Sequence, residues 1–183
     1  MHHKTKILPY FLVFALFFIQ FNSSYGQKYT ALIECNCSVI IPGQFRHYID
    51  TFSTEMGSLV YYTYTFTDTI LNYQLSFLDY PEGSVHSDST DLLRELFAST
   101  IDASLESVKG IKKYQAEINQ FEYPGYLWKI EFGENQFIKT KAFVAGNRFY
   151  TMQVFGDRKY DNTNVDLKFF DSFRFIDPNK INR

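Results

Sequence analysis

Two cysteines, Cys35 and Cys37, are the only thiols of the chain, and a single residue separates them. In an extended strand their Cα atoms would lie roughly 6.5 Å apart, at the upper limit of disulfide geometry. This spacing leaves three states open: free or partly buried thiols, a short-ring disulfide, or a soft-metal or redox pair. The third state is disfavoured because the sequence shows no cluster of histidines or methionines that would complete such a site.

One segment groups serine, histidine and aspartate, the residue types of a hydrolytic triad. Its members are His86, Asp88, Ser84, Ser87 and Ser89. A triad is assembled from residues that meet in space, and its nucleophile commonly lies on a strained turn such as G-x-S-x-G, which this chain lacks. The segment therefore predicts a polar loop leading into a helix cap, with no catalytic residue. His47 is interpreted as a surface histidine.

Four glutamates lie on or beside predicted strands, where two of them could act as acid and base. They are Glu117, Glu122, Glu131 and Glu134. Glycoside hydrolysis needs two carboxyl groups roughly 5–10 Å apart. Trp128, with Tyr126 nearby, would suit a sugar-stacking platform. Alternation places Trp128 on the same face as Ile130 and Phe132, however, which favours a core position.

An oxygen-rich segment near the C terminus contains part of a calcium-ligand pattern. Its members are Asp157, Asp161, Asn162, Asn164 and Asp166. An EF-hand loop also needs a central glycine and a glutamate at its last position, and the segment has neither. A hydrated loop that caps a short helix is the favoured interpretation. The sequence predicts no metal site and no cofactor.

Period-2 alternation predicts that strands position most of these residues. The clearest strand has apolar side chains at Leu71, Tyr73, Leu75 and Phe77, alternating with polar ones. Similar patterns cover 60–66, 114–119, 128–132, 137–144 and 149–155. Tyr123-Pro124-Gly125 is predicted to break the chain, because proline removes a strand donor and glycine favours turns.

Two helices complete the predicted α+β domain. An apolar stripe at helical spacing predicts a long helix at Ser89–Val108, with Asp88 as a candidate N-cap and Gly110 as its stop. Arg94 is assigned to the polar side of this helix. A short C-terminal helix is predicted to bury Phe169 and nearby aromatic residues. The expected fold is an antiparallel sheet of about six or seven strands, packed by these two helices.

The N terminus has the three parts of a secretory signal peptide. A cationic start precedes the apolar run Ile7–Phe21, and Ser24-Tyr25-Gly26 provides small residues before Gln27. The run is shorter than the roughly 20 apolar residues of a spanning helix. We therefore predict a signal peptide at residues 1–26, a single mature domain at 27–183 with its core at 37–176, and a periplasmic or extracellular location without a stable membrane span.

Removal of the predicted signal peptide would leave 16 basic and 20 acidic residues, because the 18 basic residues of the chain include Lys4 and Lys6. The resulting net charge near −4 argues against nucleic acid as a partner, since nucleic-acid-binding surfaces concentrate Lys and Arg. A protein or a small ligand of the envelope is the expected partner. Aromatic residues make up 19% of the chain, which favours strands with a heavily packed core.

The order of these elements resembles the PsbP/Mog1-like superfamily. The matching segments are 39–43, with the sequence Val-Ile-Ile-Pro-Gly, then 73–81, 123–125, 141–156, and the aromatic-rich 168–175. The likeness covers about residues 37–176 and consists of turns and core aromatics. It implies an exported accessory or binding protein, and it lowers the expectation of enzymatic activity. No metal, catalytic or partner site carries over, because no matching motif is present.

Together these patterns predict an exported, non-enzymatic binding or accessory protein of the periplasm or cell envelope. Two alternatives remain open at this point. One is an envelope hydrolase that uses sheet carboxylates such as Glu117 and Glu131. The other is a carrier that holds a small ligand between the long helix and the sheet.

Overall fold

The computed structural model describes residues 29–41, 43–54, 57–161 and 165–176. The predicted signal peptide, Met1–Gly26, lies outside the described residues. Within the described ranges, no helix is both long and apolar enough to cross a bilayer.

A seven-stranded antiparallel sheet forms the centre of the fold, in the order β3-β4-β5-β9-β8-β7-β6. Its strands are β3 Arg46–Thr54, β4 Gly57–Thr67, β5 Leu71–Asp79, β6 Ile111–Gln120, β7 Tyr123–Phe132, β8 Gln136–Ala145 and β9 Arg148–Asp157. Consecutive strands β6 to β9 form a meander, and β5 joins it by pairing with β9. The predicted α+β class, with its antiparallel sheet of six or seven strands, is confirmed.

A smaller antiparallel sheet, in the order β1-β2-β10, joins the two ends of the described chain. It consists of β1 Tyr29–Leu32, β2 Cys37–Ile40 and β10 Arg174–Phe175. The long helix α1 spans Thr90–Val108, a 3-10 turn spans Arg158–Tyr160, and the short helix α2 spans Val165–Asp171. The predicted short C-terminal helix is therefore present, and the strand β10 follows it.

Apolar side chains lie on both faces of the large sheet, and different elements cover them. On the face that we call the helix face, Trp128, Ile130 and Phe149 pack against α1. On the opposite face, Leu75 packs in one cluster with Phe169 of α2 and with residues of the small sheet. Full burial of each such side chain contributes about 1.5–3 kcal/mol relative to its exposure.

The N-cap of helix α1 lies one residue later than predicted. Ser89 is the N-cap, while the carboxylate of Asp88 binds His86 instead of capping the helix. The prediction of Asp88 as N-cap is therefore wrong. At the other end, Lys109 adopts a left-handed conformation, and the amide of Gly110 donates to the carbonyl of Leu105. This hydrogen-bond pattern closes the helix as a Schellman motif does.

Two features of the sheet differ from the sequence prediction. Strand β3 was not predicted, because nearly all its side chains are exposed and no buried face marks it. The segment Tyr123-Pro124-Gly125 does not break the chain but opens β7. Proline is tolerated there because β8 pairs with β7 only from Gly125 onward, so the missing donor of Pro124 costs no bond to β8.

The structure joins Cys35 and Cys37 in a disulfide whose Cα atoms lie 5.2 Å apart. The extended-strand spacing does not apply, because Asn36 between them has a φ of 51° and turns the chain. Both cysteines are fully buried. Hydrogen bonds hold this turn on the large sheet: Tyr150 donates to the carbonyl of Cys35 at 2.8 Å, and Arg148 donates to that of Glu34 at 2.8 Å.

Gly125 is a close-packing position between β7 and β8, and replacing it with alanine tests this packing. An added Cβ would lie 2.3 Å from the carbonyl oxygen of Ala142, which is backbone and cannot rotate away. We expect Gly125→Ala to lower the free energy of unfolding by about 1–3 kcal/mol, as overpacking does. Urea unfolding followed by circular dichroism measures the change.

The matched control is Gly83→Ala, at a turn glycine with a φ of 81° where an added Cβ meets no atom within 4 Å. Its expected cost is about 1 kcal/mol, from backbone conformation alone. A Gly125→Ala variant no less stable than the Gly83→Ala variant would contradict the packing described here.

Candidate functional site

A cavity of about 410 Å³ lies between the N-terminal half of α1 and the β6–β7 hairpin, and we call it the helix–hairpin cleft. Its floor is apolar and aromatic. Leu93 and Phe97 come from the buried side of α1, and Tyr126 comes from the helix face of β7. The Phe97 and Tyr126 rings pack with centroids 4.8 Å apart. Of these side chains only Tyr126 is partly exposed to a ligand, because Leu93 and Phe97 are almost fully buried and pack beneath it.

Charged and amide side chains form the rim of the cleft. Arg94 extends from α1, Glu117 and Asn119 from β6, and Glu122 from the hairpin turn. The Arg94 guanidinium donates to the carboxylate of Asp91 at 3.3 Å. The rim therefore combines a donor-only guanidinium, two acceptor-only carboxylates, and an amide that can do both.

Tyr126 links the floor to the rim. Its hydroxyl donates to the Glu117 carboxylate at 2.9 Å across the β6–β7 pair. Burial raises the pKa of Tyr126, and the hydrogen bond to Glu117 raises it further. Tyr126 therefore remains a neutral phenol at ordinary pH, and it orients one of the two rim carboxylates.

The hairpin turn beside the cleft has an uncommon backbone. Phe121 and Glu122 both have positive φ angles, 52° and 72°. Two-residue hairpins of this kind normally use glycine or asparagine, because side-chain-bearing residues lose roughly 1–2 kcal/mol each in the left-handed region. Backbone strain of this kind is concentrated at functional sites. Here it places the Glu122 side chain at the rim of the cleft.

The predicted carboxylates do not form one acid–base pair. Glu117 pairs with Tyr126 on the helix face, whereas Glu131 lies on the opposite face, where Lys129 donates to it at 2.7 Å and Arg158 at 3.0 Å. Glu117 and Glu131 therefore cannot flank one glycosidic bond. Glu134 lies at the β7–β8 turn, where its backbone carbonyl accepts from Arg158. Of these four glutamates, Glu117 and Glu122 line the helix–hairpin cleft.

Two aspartates of the oxygen-rich segment, Asp161 and Asp166, are paired with lysines on the opposite face, whereas Asp157 accepts from the backbone amide of Lys159 at 2.9 Å. The Lys139 ammonium lies 2.6 Å from the carboxylate of Asp166 and 2.8 Å from Oδ1 of Asp161. The contact with Asp161 Oδ1 is an ion pair without hydrogen-bond geometry. Lys129 binds the other oxygen of Asp161. Asn162 and Asn164 lie outside the described residues. Among the described residues, no group of three or more His, Cys, Asp or Glu is placed to hold a metal ion.

The remaining residues singled out from the sequence lie in structural settings. His86 contacts Asp88 at 2.7 Å in an exposed loop, and His47 stacks on Tyr64 with ring centroids 4.4 Å apart. Trp128 is completely buried in the core beneath α1, as alternation predicts, and its indole Nε1–H has no hydrogen-bond partner among the described residues. The Cys35–Cys37 disulfide lies on the face of the sheet opposite the cleft.

Sequence reasoning missed Arg94 and Phe97 as cleft residues. The helical stripe correctly marks Phe97 as apolar and Arg94 as polar, but it carries no information on the distance between α1 and the hairpin. That distance depends on how the helix crosses the sheet. A periodic pattern within one element cannot report it.

Comparisons with known proteins support the fold. No family model matches the chain, and no curated protein sequence matches it. The solution structure of cyanobacterial PsbP (CyanoP) from Synechocystis sp. PCC 6803 is similar to this chain, with a TM-score of 0.54. The match covers 81% of this chain and 91% of that chain at 10% identity. The predicted PsbP-like fold is thus confirmed.

The ion pairs around Glu131 and Asp161 predict a loss of stability in acid. The hydrogen bond from Lys129, with help from Arg158, lowers the pKa of Glu131 to about 2 from its usual 4.5. Burial would raise the pKa of Asp161, but its bonds to Lys129 and Lys139 outweigh that effect and lower it. The unfolded chain then binds more protons than the folded one between pH about 4.5 and 2, so stability falls as the pH drops through this window.

Urea midpoints measured at several pH values test this expectation. In Glu131→Gln, stability should fall less steeply with pH between about 4.5 and 2, because one of the responsible carboxylates is gone. Glu106→Gln, at an exposed position on α1, should keep the wild-type slope. Equal slopes in wild type and Glu131→Gln would show that this ion pair does not contribute.

Proposed function

We propose that this chain is an exported, non-enzymatic binding or accessory protein of the periplasm or cell envelope, and that it holds a small polar ligand in the helix–hairpin cleft. The observation that supports this proposal is the cleft itself, with its aromatic floor and its rim of mixed charge. Its volume of about 410 Å³ falls in the range of roughly 300–1,000 Å³ typical of small-molecule sites.

The cleft residues define the chemical class of ligand. The exposed part of the Tyr126 ring favours a flat or apolar surface of the ligand, because aromatic rings pack on such surfaces. Arg94 can donate to acceptor groups, while Glu117 and Glu122 can accept from hydroxyl or amino groups. These features suit a compact ligand that combines one apolar face with donors and acceptors around its edge, as a sugar does.

Envelope hydrolysis stands as the rival function, and it now rests on Glu117 and Glu122. Glu117 already accepts a hydrogen bond from Tyr126, and Glu122 is exposed to solvent at the hairpin turn. A general acid of a glycosidase needs a raised pKa, which burial normally provides. The exposure of Glu122 favours binding over turnover.

Native mass spectrometry of the mature protein, purified from the envelope of its own cells, tests the ligand proposal. We expect a species heavier than the processed chain. Arg94→Ala should lose at least tenfold in bound fraction, because it removes the only guanidinium of the described rim. Glu95→Ala, on the same helix but outside the described cleft lining, is the matched control and should keep the ligand.

Three results would contradict this proposal. A bare chain mass in wild type would remove the carrier role. A bound species retained by Arg94→Ala would place the ligand elsewhere. Steady turnover of a glycan substrate that Glu117→Gln abolishes would replace binding with hydrolysis.

Export is tested separately by cell fractionation and N-terminal mass mapping. We expect the protein in the envelope or medium fraction with Gln27 as its first residue, because the segment before it has the pattern of a cleaved signal. Gly26→Pro should block cleavage and leave a longer, membrane-associated precursor, whereas Tyr25→Phe should be processed normally. An intact chain starting at Met1 in the cytoplasmic fraction would refute export.

A further inference from the structure

Strand β3 forms one edge of the large sheet and pairs only with β4 in the described chain. Its nine residues stay in register with β4 from Arg46 to Thr54, without a bulge. The outer edge of such a strand presents unpaired N–H and C=O groups to which another strand can bind. Nothing within the described residues covers this edge.

The other edge of the sheet, β6, is built differently. It carries Lys112 and Lys113 beside a register shift, and both features are common protection against strand pairing. Strand β3 has no lysine and no proline. Three of its side chains are large, apolar and exposed: Tyr48 at 49%, Ile49 at 56% and Phe52 at 42%. Only one of the two edges is thus open to a partner strand.

We propose that β3 pairs antiparallel with β3 of a second copy of this chain, about a two-fold axis at Tyr48. Arg46, Tyr48 and Asp50 alternate onto the helix face, opposite Thr65, Thr63 and Tyr61 of β4. Neither Arg46 nor Asp50 has an ion-pair partner in the part of the chain that the structure describes. The positive charge of Arg46 and the negative charge of Asp50 are therefore both available on this edge to form ion pairs with a second chain.

Symmetry restricts the register of such a pair. A two-fold axis perpendicular to the sheet keeps the helix faces of both copies on one side. The axis must then pass midway between two copies of the same residue, which lie directly opposite each other. An axis at Tyr48 places Arg46 opposite Asp50 of the partner subunit, and the same pair recurs on the other side. An axis at Asp50 would lengthen the overlap but would set two aspartates directly opposite each other, which is unfavourable.

The resulting interface suits a second copy better than an unrelated strand. Its two ion pairs are symmetric copies of one pair, Arg46 with Asp50 of the partner subunit, so a single strand sequence supplies both halves. On the opposite face of the sheet, Ile49 would lie beside His47 of the partner subunit. The two large sheets would join into one continuous sheet, with both helix–hairpin clefts at its far ends, since β6 is the last strand on the other side. Pairing would therefore leave both clefts accessible.

Disulfide trapping tests the register. In Tyr48→Cys, the two introduced thiols would lie on opposing residues about 4.5–5.5 Å apart between Cα atoms, within disulfide range. We expect mild oxidation of the mature chain to convert most of this variant into a covalent dimer. Phe52→Cys is the matched control. With the axis at Tyr48, its two introduced cysteines would be separated by eight residues, about 27 Å, along the strand direction, too far for a disulfide. Equal or absent cross-linking in the two variants would overturn the proposal.

Sedimentation velocity tests the charge complementarity without a covalent trap. We expect a concentration-dependent dimer whose Kd rises at least tenfold in Asp50→Arg and returns toward the wild-type value in the double variant Arg46→Asp/Asp50→Arg. Lys113→Asp, on the other edge, should leave the Kd unchanged, and circular dichroism checks that each variant is folded. A wild-type chain that stays monomeric up to millimolar concentration, or a double variant that is not rescued, would overturn the proposal.

Discussion

The need to cover both faces of one apolar sheet governs this structure. The central strands β5, β9 and β8 bury residues on both of their sides, so neither face can remain in water. Helix α1 covers one face through Leu93, Phe97 and Ile101. The small sheet and α2 cover the other. Because the burial of apolar area is the main favourable term in folding, these two covers determine where the remaining elements can lie.

The second cover depends on contacts between distant parts of the chain. The Cys35–Cys37 turn is held by Tyr150 and Arg148 of β9, and the amide of Ile176 donates to the carbonyl of Asn36. The first and last described elements thereby meet on the same face. A disulfide within so short a ring restricts the turn alone, so the wider closure comes from strand pairing and from the aromatic cluster around β10.

Neither α1 nor the small sheet with α2 packs over the whole of its face of the large sheet. The helix–hairpin cleft lies where α1 leaves the helix face uncovered. Helix α1 packs over β7 at Trp128 and Ile130, but nearer its N terminus it leaves space beside the hairpin. The hairpin turn at Phe121 and Glu122 holds a strained backbone at that point. The chain thus combines a closely packed centre with an open, polar margin on the helix face. Specific recognition of a small molecule requires this combination of rigidity and access.

The parts of the fold that sequence reasoning recovered are those in which burial alternates along a single element. The first half of the strand at Leu71–Asp79 alternates between buried and partly exposed residues, and the helix at Thr90–Val108 buries one side, so both patterns are visible in the sequence. Strand β3 escaped detection because it is exposed on both faces and shows no alternation. Pro124 suggested a break because the sequence alone does not show that β7 pairs with β8 only from Gly125 onward.

The candidate site was only partly predictable for a related reason. Glu117 and Tyr126 were identified as polar and aromatic groups with possible chemistry, but the face on which each glutamate lies depends on strand register. Glu131 and Glu117 are therefore indistinguishable in the sequence, although the sheet separates them. Arg94 enters the site only because of the angle at which α1 crosses the sheet, which depends on contacts made across the whole core.

Hydrogen–deuterium exchange of the protein as purified from its own envelope, compared with the same protein after unfolding and refolding in ligand-free buffer, tests the central claim most directly. We expect slower exchange in the untreated sample for peptides around 90–97 and 117–126, which border the cleft, and no change around Lys139 and Asp166 on the opposite face. Identical exchange in both samples, or protection centred on the opposite face, would contradict a ligand held between α1 and the hairpin.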